Sequence, residues 1–490
     1  MTAFANRGRA ASVSARVRGR VLAMAAVCCF LAAGAAPGAY SAARPRYGGE
    51  LRISFHQTAQ THHPAAASTL PERVLASALY ETLVTLDEHG EPAPGLAVRW
   101  QPEPGEKRWE FQLRAGVRFH DGAPFNSTAA RETLARALER APGLAGARLR
   151  AARMLCASPS PARLVCDLGE PIPALPRLLA DPALAVIAAS GAGTGPWTLA
   201  AWTRGSHARL EAFEAYHSGR PFLDAIEAEF GVAARRQRVE FELKRADIVV
   251  APPTEARLPG ASRGSPESNL LLLRFGAGAF GKETADRRRF AALVDRAALA
   301  QLLPPGRVSA AHGFMPGAAT GYEFLLGLEQ QGVAETGGAG AARRGPLRLV
   351  FDAADPVARL AASRLQLDLG RAGVTLRLEG LRADTFAAAR QARTYDLAVE
   401  SLTVRLASSP LGLAHVMHAI GLSEAAGRLL DRAGGQVPVE VEYQAERQAL
   451  DALEAVPLLH YGDQYGVGES VEQLRFSAAG LPDLASAWKR

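Results

Sequence analysis

A chain of 490 residues, 48% apolar and 21% charged, exceeds what one hydrophobic core supports, so two or more globular lobes are expected. Its formal net charge is +7, but Arg7, Arg9, Arg16, Arg18 and Arg20 stand in residues 1–43 without any acid, so that stretch carries +5 of it. The small remainder excludes a strongly basic surface built for nucleic acid or anionic lipid. Residues 1–43 have the order of a cleaved secretory signal: a basic start, an apolar run at 21–36 and small residues up to Ala43. That run is shorter than the roughly 20 residues that span a bilayer. Cleavage is expected after Ala43, with Ser41 at the −3 position, and no adjacent arginine pair supports twin-arginine export. Lipid attachment at Cys28 or Cys29 is the alternative, although Ala25-Ala26-Val27 ahead of them fit a lipobox poorly.

Beyond the leader, residues 51–55 read as a first strand, followed by the polar segment 56–64. A helix is expected from Pro71 to about Val84, with Val74, Ala78, Leu79 and Leu83 as its apolar stripe and Pro71 in its first turn. A turn at Glu88-His89-Gly90 leads to strands at 96–100 and 108–113; the second alternates Trp109, Phe111 and Leu113 with polar neighbours. Asp121-Gly122 marks a turn, and Asn126, Ser127 or Thr128 caps a helix carrying Leu134 and Leu138. Two strand-like runs around Ser158-Pro159-Ser160-Pro161 form a hairpin that sets Cys156 opposite Cys166. In an oxidising compartment these pair as a disulfide; two buried thiols are the alternative.

Residues 170–187 are proline-punctuated and loop-rich, and Ile226, Ala228 and Phe230 alternate as a strand. A strand at 270–275 runs into Gly276, Gly278 and Gly281, the spacing of a dinucleotide-binding turn, with Asp295 near the position of a ribose-binding acid. Lys282-Glu283-Thr284 follow where a small apolar helix start is required, which argues against a nucleotide. Residues 336–345 form a Gly/Ala/Arg loop. Strand 347–353, a helix capped by Asp355 with Pro356 first, strand 374–381, helix 384–393 and strand 395–402 then alternate, which implies a parallel sheet. No G-x-S-x-G, Walker or HExxH motif occurs.

Several motifs in order carry a resemblance. They are residues 79–84 (LYETLV), Pro94-Gly95-Leu96-Ala97 with Trp100, Trp109-Glu110-Phe111, Leu113-Arg114, Gly116-Val117, residues 119–122 and Pro124-Phe125. Gly48-Gly49, Gly193-Thr194-Gly195-Pro196-Trp197 and the run from Leu210-Glu211 through Tyr216 to Leu223-Asp224 extend them. Together they resemble the bacterial extracellular solute-binding proteins of family 5, the peptide-, nickel- and opine-binding receptors of ABC importers.

The resemblance implies an α/β, periplasmic-binding-protein-like (type II) fold: two large α/β lobes with a hinge, plus a smaller appended lobe. Lobe I would comprise 44–75, 191–262 and 461–490, lobe II 76–190 and lobe III 263–460. It implies a periplasmic monomer that captures an oligopeptide-like or related small solute between its lobes and delivers it to ABC permease subunits. No cofactor, no nucleic acid and no chemical conversion are expected. A receptor for a metal chelate such as nickel is the alternative within the class; an exported enzyme or chaperone-like protein on the same scaffold is the alternative outside it.

Family receptors place cleft residues just after the first strand, which nominates His56, Thr58, His62 and His63. Tyr80, Trp197 and Trp202 are candidate apolar walls. Peptide-binding members continue after Tyr395-Asp396 with a tryptophan and an aspartate that pairs with the ligand's α-ammonium group. This chain has neither there and carries Arg405 near the expected acid, which favours a carboxylate or phosphate. Glu400 is the alternative acid. His415 is a further ligand candidate, and His415 and His418, three residues apart on one face if helical, are weak metal candidates, with a structural role as the rival reading.

Overall fold

The computed structural model describes residues 44–87, 89–255, 258, 260–278, 280, 284–305, 308–334, 345–404, 410–432, 437–477 and 479–490. The expected leader, Glu88 of the first turn, Gly281 of the glycine motif, loop residues 336–344 and Arg405 lie outside these residues.

Strand Glu50–Phe55 buries Leu51, Ile53 and Phe55 and takes the centre of a seven-stranded sheet. In space the order is Ala261–Gly264, Gln464–Val467, Ile248–Ala251, Glu50–Phe55, Ala225–Glu229, His207–Ala212 and Trp197–Thr203. The central strand is parallel to both neighbours, and the outer pairings are antiparallel. Helix Leu70–Leu79 packs its Val74, Leu75 and Leu79 into the core of this sheet.

A six-stranded sheet has the order Val308–Ala310, Ala455–Tyr461, Asn269–Phe275, Leu397–Thr403, Leu347–Asp352 and Leu376–Leu381. The last three strands, those of the expected strand–helix alternation, are parallel as expected, and the remaining pairings are antiparallel, so the whole sheet is mixed. Helical crossovers link just those three strands, through Pro356–Arg371 and Ala383–Ala392. Every residue of Asn269–Phe275 is buried. Its Leu271, Leu273 and Phe275 pack with Val357, Ala361 and Leu365 of the crossover helix, whereas Leu270 and Leu272 join a separate core with Leu411, Val416 and Leu429.

A four-stranded antiparallel sheet, Ala97–Pro102, Arg108–Leu113, Arg163–Asp167 and Leu155–Ser160, lies under helix Ser127–Arg140, capped by Asn126 Oδ1 accepting from Ala129 N at 3.0 Å. Its core is continuous with that of Leu411, Val416 and Leu429. Cys156 and Cys166 are directly paired across the hairpin, Cα to Cα 4.0 Å, with their sulfurs bonded. With a sequence separation of 10, loop-closure entropy assigns this bond about 2–3 kcal/mol. Urea titration of a Cys156→Ser/Cys166→Ser double variant is expected to show that loss, and reductant should then shift the wild type but not the variant. Equal midpoints for both proteins would refute it.

The helix expected to reach Val84 stops at Leu79. Tyr80 is extended, and Val84–Leu86 is a strand against Pro92–Pro94. The cause is the returning Gly-Thr-Gly-Pro segment. Gly195 N donates to Leu79 O at 3.1 Å, and a Cβ on Gly193 would stand 1.9 Å from that same oxygen. Only glycine permits the backbone to come so close and satisfy a carbonyl at the helix end.

Candidate ligand cleft

Two chain crossings join the large sheets. Gly264 leads to Asn269, and Tyr461 leads through Gly462-Asp463 to Gln464. The crossings are pinned to each other: Ser265 N donates to Asp463 O at 3.0 Å and Asp463 N to Ser265 Oγ at 2.9 Å. A Cβ on residue 462 would meet Ser265 O at 2.5 Å, so glycine is required there.

Above this crossing lies a cavity of about 370 Å³, lined by both sheets. It sits beyond the carboxyl ends of Glu50–Phe55 and Ile248–Ala251 on one side and of Leu347–Asp352, Leu397–Thr403 and Ala455–Tyr461 on the other. The crevice beyond the carboxyl ends of parallel strands is where open α/β sheets hold ligands.

The cavity wall is polar and partly charged, with His56, Thr58, Arg73, Asn269, Asp355, Ser401, Thr403, Tyr461 and Asp463 among its residues. Asp463 is 7% exposed; burial pushes its carboxyl upward, while the Arg73 charge and Asn269 Nδ2 at 3.3 Å pull it back. Asp355 Oδ1 accepts from Val357 N at 2.9 Å and Ala358 N at 3.0 Å, capping its helix from inside the cleft. Burial raises this carboxyl too, opposed by the Ser401 hydroxyl, whose oxygen in turn accepts from Tyr461 OH at 2.8 Å. At the other helix start Glu72 accepts from Gln60 N, Ser68 N and Thr69 N, and Leu70 N donates to Gln57 Oε1.

His56 is held below the usual imidazole range by burial, hence neutral. Its Nδ1 lies 3.1 Å from Val250 O, which can only accept, so Nδ1 carries the proton. The buried Nε2 therefore presents a lone pair with no protein donor among the described residues.

Of the residues nominated from sequence, His56 and Thr58 line the cleft. The others do not. His62 Nδ1 lies 3.0 Å from Tyr80 OH, and its ring meets Trp202 edge-on at 5.6 Å, beside the core of the seven-stranded sheet. His63 Nδ1 accepts from Ala65 N at 3.3 Å. Tyr80 reaches Gly191 O at 3.4 Å and Trp197 is 0% exposed; both are core residues, because the apolar surface that suggested a ligand wall is consumed by the sheet. Glu400 points to the opposite face from Ser401 and Thr403, where Arg274 Nη1 donates to it at 2.9 Å and Arg390 Nη1 at 3.2 Å. His415 bridges Leu411 O at 2.8 Å and Asp181 at 3.0 Å, joining helix Pro410–Ala419 to the segment after the four-stranded sheet. His418 Nδ1 bonds Ser423 Oγ at 3.0 Å. No metal-holding group of three or more His, Cys, Asp or Glu exists among the described residues.

Arg73 and Asp463 escaped the sequence reading. Their local sequence gives little sign of a place in the cleft: Arg73 stands beside Glu72 in a helix start, and Asp463 lies in a polar stretch, Gly462-Asp463-Gln464.

Residues 91–418 match the sequence model of the bacterial extracellular solute-binding proteins, family 5, middle region. The chain belongs to this family. An uncharacterized protein of Bacillus subtilis (strain 168), YhjP, is 36% identical over 166 residues, which cover 32% of this chain and 28% of that protein. The match thus spans less than a third of this curated relative. In structure the chain is similar to AgaA from A. tumefacien R10, solved with agropinic acid, at a TM-score of 0.75 and 19% identity, covering 90% of this chain and 99% of that one. It is also similar to DppA of Helicobacter pylori, solved with the peptide STSA, at a TM-score of 0.76 and 14% identity, covering 91% and 99%. These likenesses establish the periplasmic-binding-protein fold.

Proposed function

We propose that the chain is the solute-binding component of an ABC importer, capturing a small polar solute in the cleft and passing it to membrane permease subunits. The observation that carries this reading is the position of the cavity: it lies on the crossing between two sheets, with its polar groups drawn from both. A solute touching both sides favours approach of the lobes over that crossing. Its volume, about 370 Å³, is at the small end for ligand pockets. His56 Nε2 selects a solute bearing an N–H or O–H donor, and the Arg73–Asp463 neighbourhood favours one with charged ends.

The same reading makes the protein a monomeric receptor and not an enzyme, with residues 1–43 directing export to the periplasm. Family membership supports it. Among the described residues no helix is long and apolar enough to cross a membrane.

Native mass spectrometry of the exported protein should show a retained solute. Isothermal titration with the tetrapeptide Ser-Thr-Ser-Ala and with agropinic acid then sorts peptide from opine. Asp463→Asn is expected to weaken the retained solute by roughly 10- to 100-fold, the worth of one charge-assisted bond in a dry site. Unchanged affinity in that variant, or conversion of the solute, overturns the reading.

A further inference from the structure

Lobe III contains a second cavity, about 760 Å³, that shares no lining residue with the cleft. It opens at the Ala455–Pro457 end of the strand whose other end, Tyr461, reaches the cleft. Helices Arg296–Ala300, Glu323–Ala334 and Val439–Asp451 frame it.

Its charged lining is unevenly satisfied. Asp295 accepts from Ala298 N at 2.9 Å as a helix cap, and Arg288 lies 3.6 Å from Asp451. Arg296 has one bond, Nε to Pro457 O at 2.9 Å, and no carboxylate of the described residues in ion-pairing range. Its remaining guanidinium N–H groups have no protein acceptor there. Burial pushes this group down to about 10, so its charge is held at a cost that an anion would offset. His312, which lines the same cavity, is held below the usual imidazole range by burial and then by the Arg296 charge.

The rest of the lining is apolar, with Leu326, Leu450 and Val456. The helix that supplies Leu326 also exposes Phe324 at 65% and Leu328 at 59%, one turn apart. An apolar surface beside a half-buried guanidinium that has no carboxylate partner among the described residues is the complement of an amphiphilic anion.

We propose that this cavity is a second binding site, for an organic anion whose carboxylate pairs with Arg296 while its apolar body lies against Leu326, Leu450 and Val456. The site stands independently of what the cleft binds.

Isothermal titration of the full exported protein with octanoate tests it, with acetate and inorganic phosphate as controls. Octanoate is expected to bind the wild type, to weaken at least tenfold in Arg296→Gln, and to keep its affinity in Asp463→Asn, which alters only the cleft. Ala292→Leu, which narrows the cavity without touching the guanidinium, should weaken octanoate as well and guards against a folding defect in the arginine variant. No octanoate binding to the wild type, or binding insensitive to both cavity variants, overturns the proposal. Loss of octanoate in Asp463→Asn would move the ligand to the cleft. Equal binding of acetate or phosphate would mean an adventitious ion only.

Discussion

Substituting Glu446 by glutamine is expected to abolish a loss of stability that the wild-type protein shows as pH rises from about 4.5 to about 7. Glu446, on helix Val439–Asp451, is 0% exposed. It accepts from Phe314 N, from Met315 N at 2.9 Å and from Tyr322 OH at 2.6 Å, so it clips the segment after strand Val308–Ala310 to that helix. Three donors favour the ionised form, but burial outweighs them and raises the carboxyl to about 7, with the nearby Glu323 adding in the same direction.

Between about 4.5 and 7 the unfolded chain has released this proton and the folded chain has not. Folding is therefore favoured fully below that window and progressively less through it. The difference is on the order of 3 kcal/mol. Glutamine cannot ionise, and its carbonyl oxygen can still serve the two backbone donors while Tyr322 OH accepts from its amide. Glu446→Ala instead strands all three donors and costs about 3 kcal/mol or more at any pH. Urea midpoints at pH 5 and pH 8 separate these outcomes. Parallel pH dependence in wild type and Glu446→Gln would refute the assignment.

What the sequence disclosed about the fold follows from the range of the forces involved. Strand Arg108–Leu113, the Asn126 cap and the Asp355-Pro356 helix start are decided within a few residues, and all three occur as expected. The helix end at Leu79 is not legible locally because its terminator, Gly195, arrives from a distant segment. The cleft was harder for the same reason. His56 was nominated by its place after a strand, whereas Arg73 and Asp463 meet only because the chain crosses back between the sheets at Gly462. Trp197 shows the converse: its apolar bulk was evident, but not whether a sheet or a ligand would cover it.

Glu400 permits the sharpest separation of stability from binding. Its side chain is 3% exposed and that of Arg274 6%, with their bond at 2.9 Å reinforced by Arg274 Nη1 donating to Ala419 O at 3.1 Å. Arg274→Met removes the buried partner and leaves the carboxylate to Arg390, whose side chain is 42% exposed. A stability loss of about 3–5 kcal/mol is expected, because an ion stripped of its partner keeps its full desolvation cost. Adding Glu400→Leu removes that stranded charge and should recover most of the loss, since an apolar pair of similar volume replaces a buried ion pair at little cost. Arg390 can then turn to water. Strand alternation sends residue 400 toward Leu270 and Leu272 and residues 401 and 403 toward the cleft, so the double variant should bind the retained solute as the wild type does. Calorimetric unfolding and solute titration on the three proteins read the two effects apart. A double variant that regains stability yet loses the solute would return Glu400 to the binding site and refute the placement of the cleft on the opposite face.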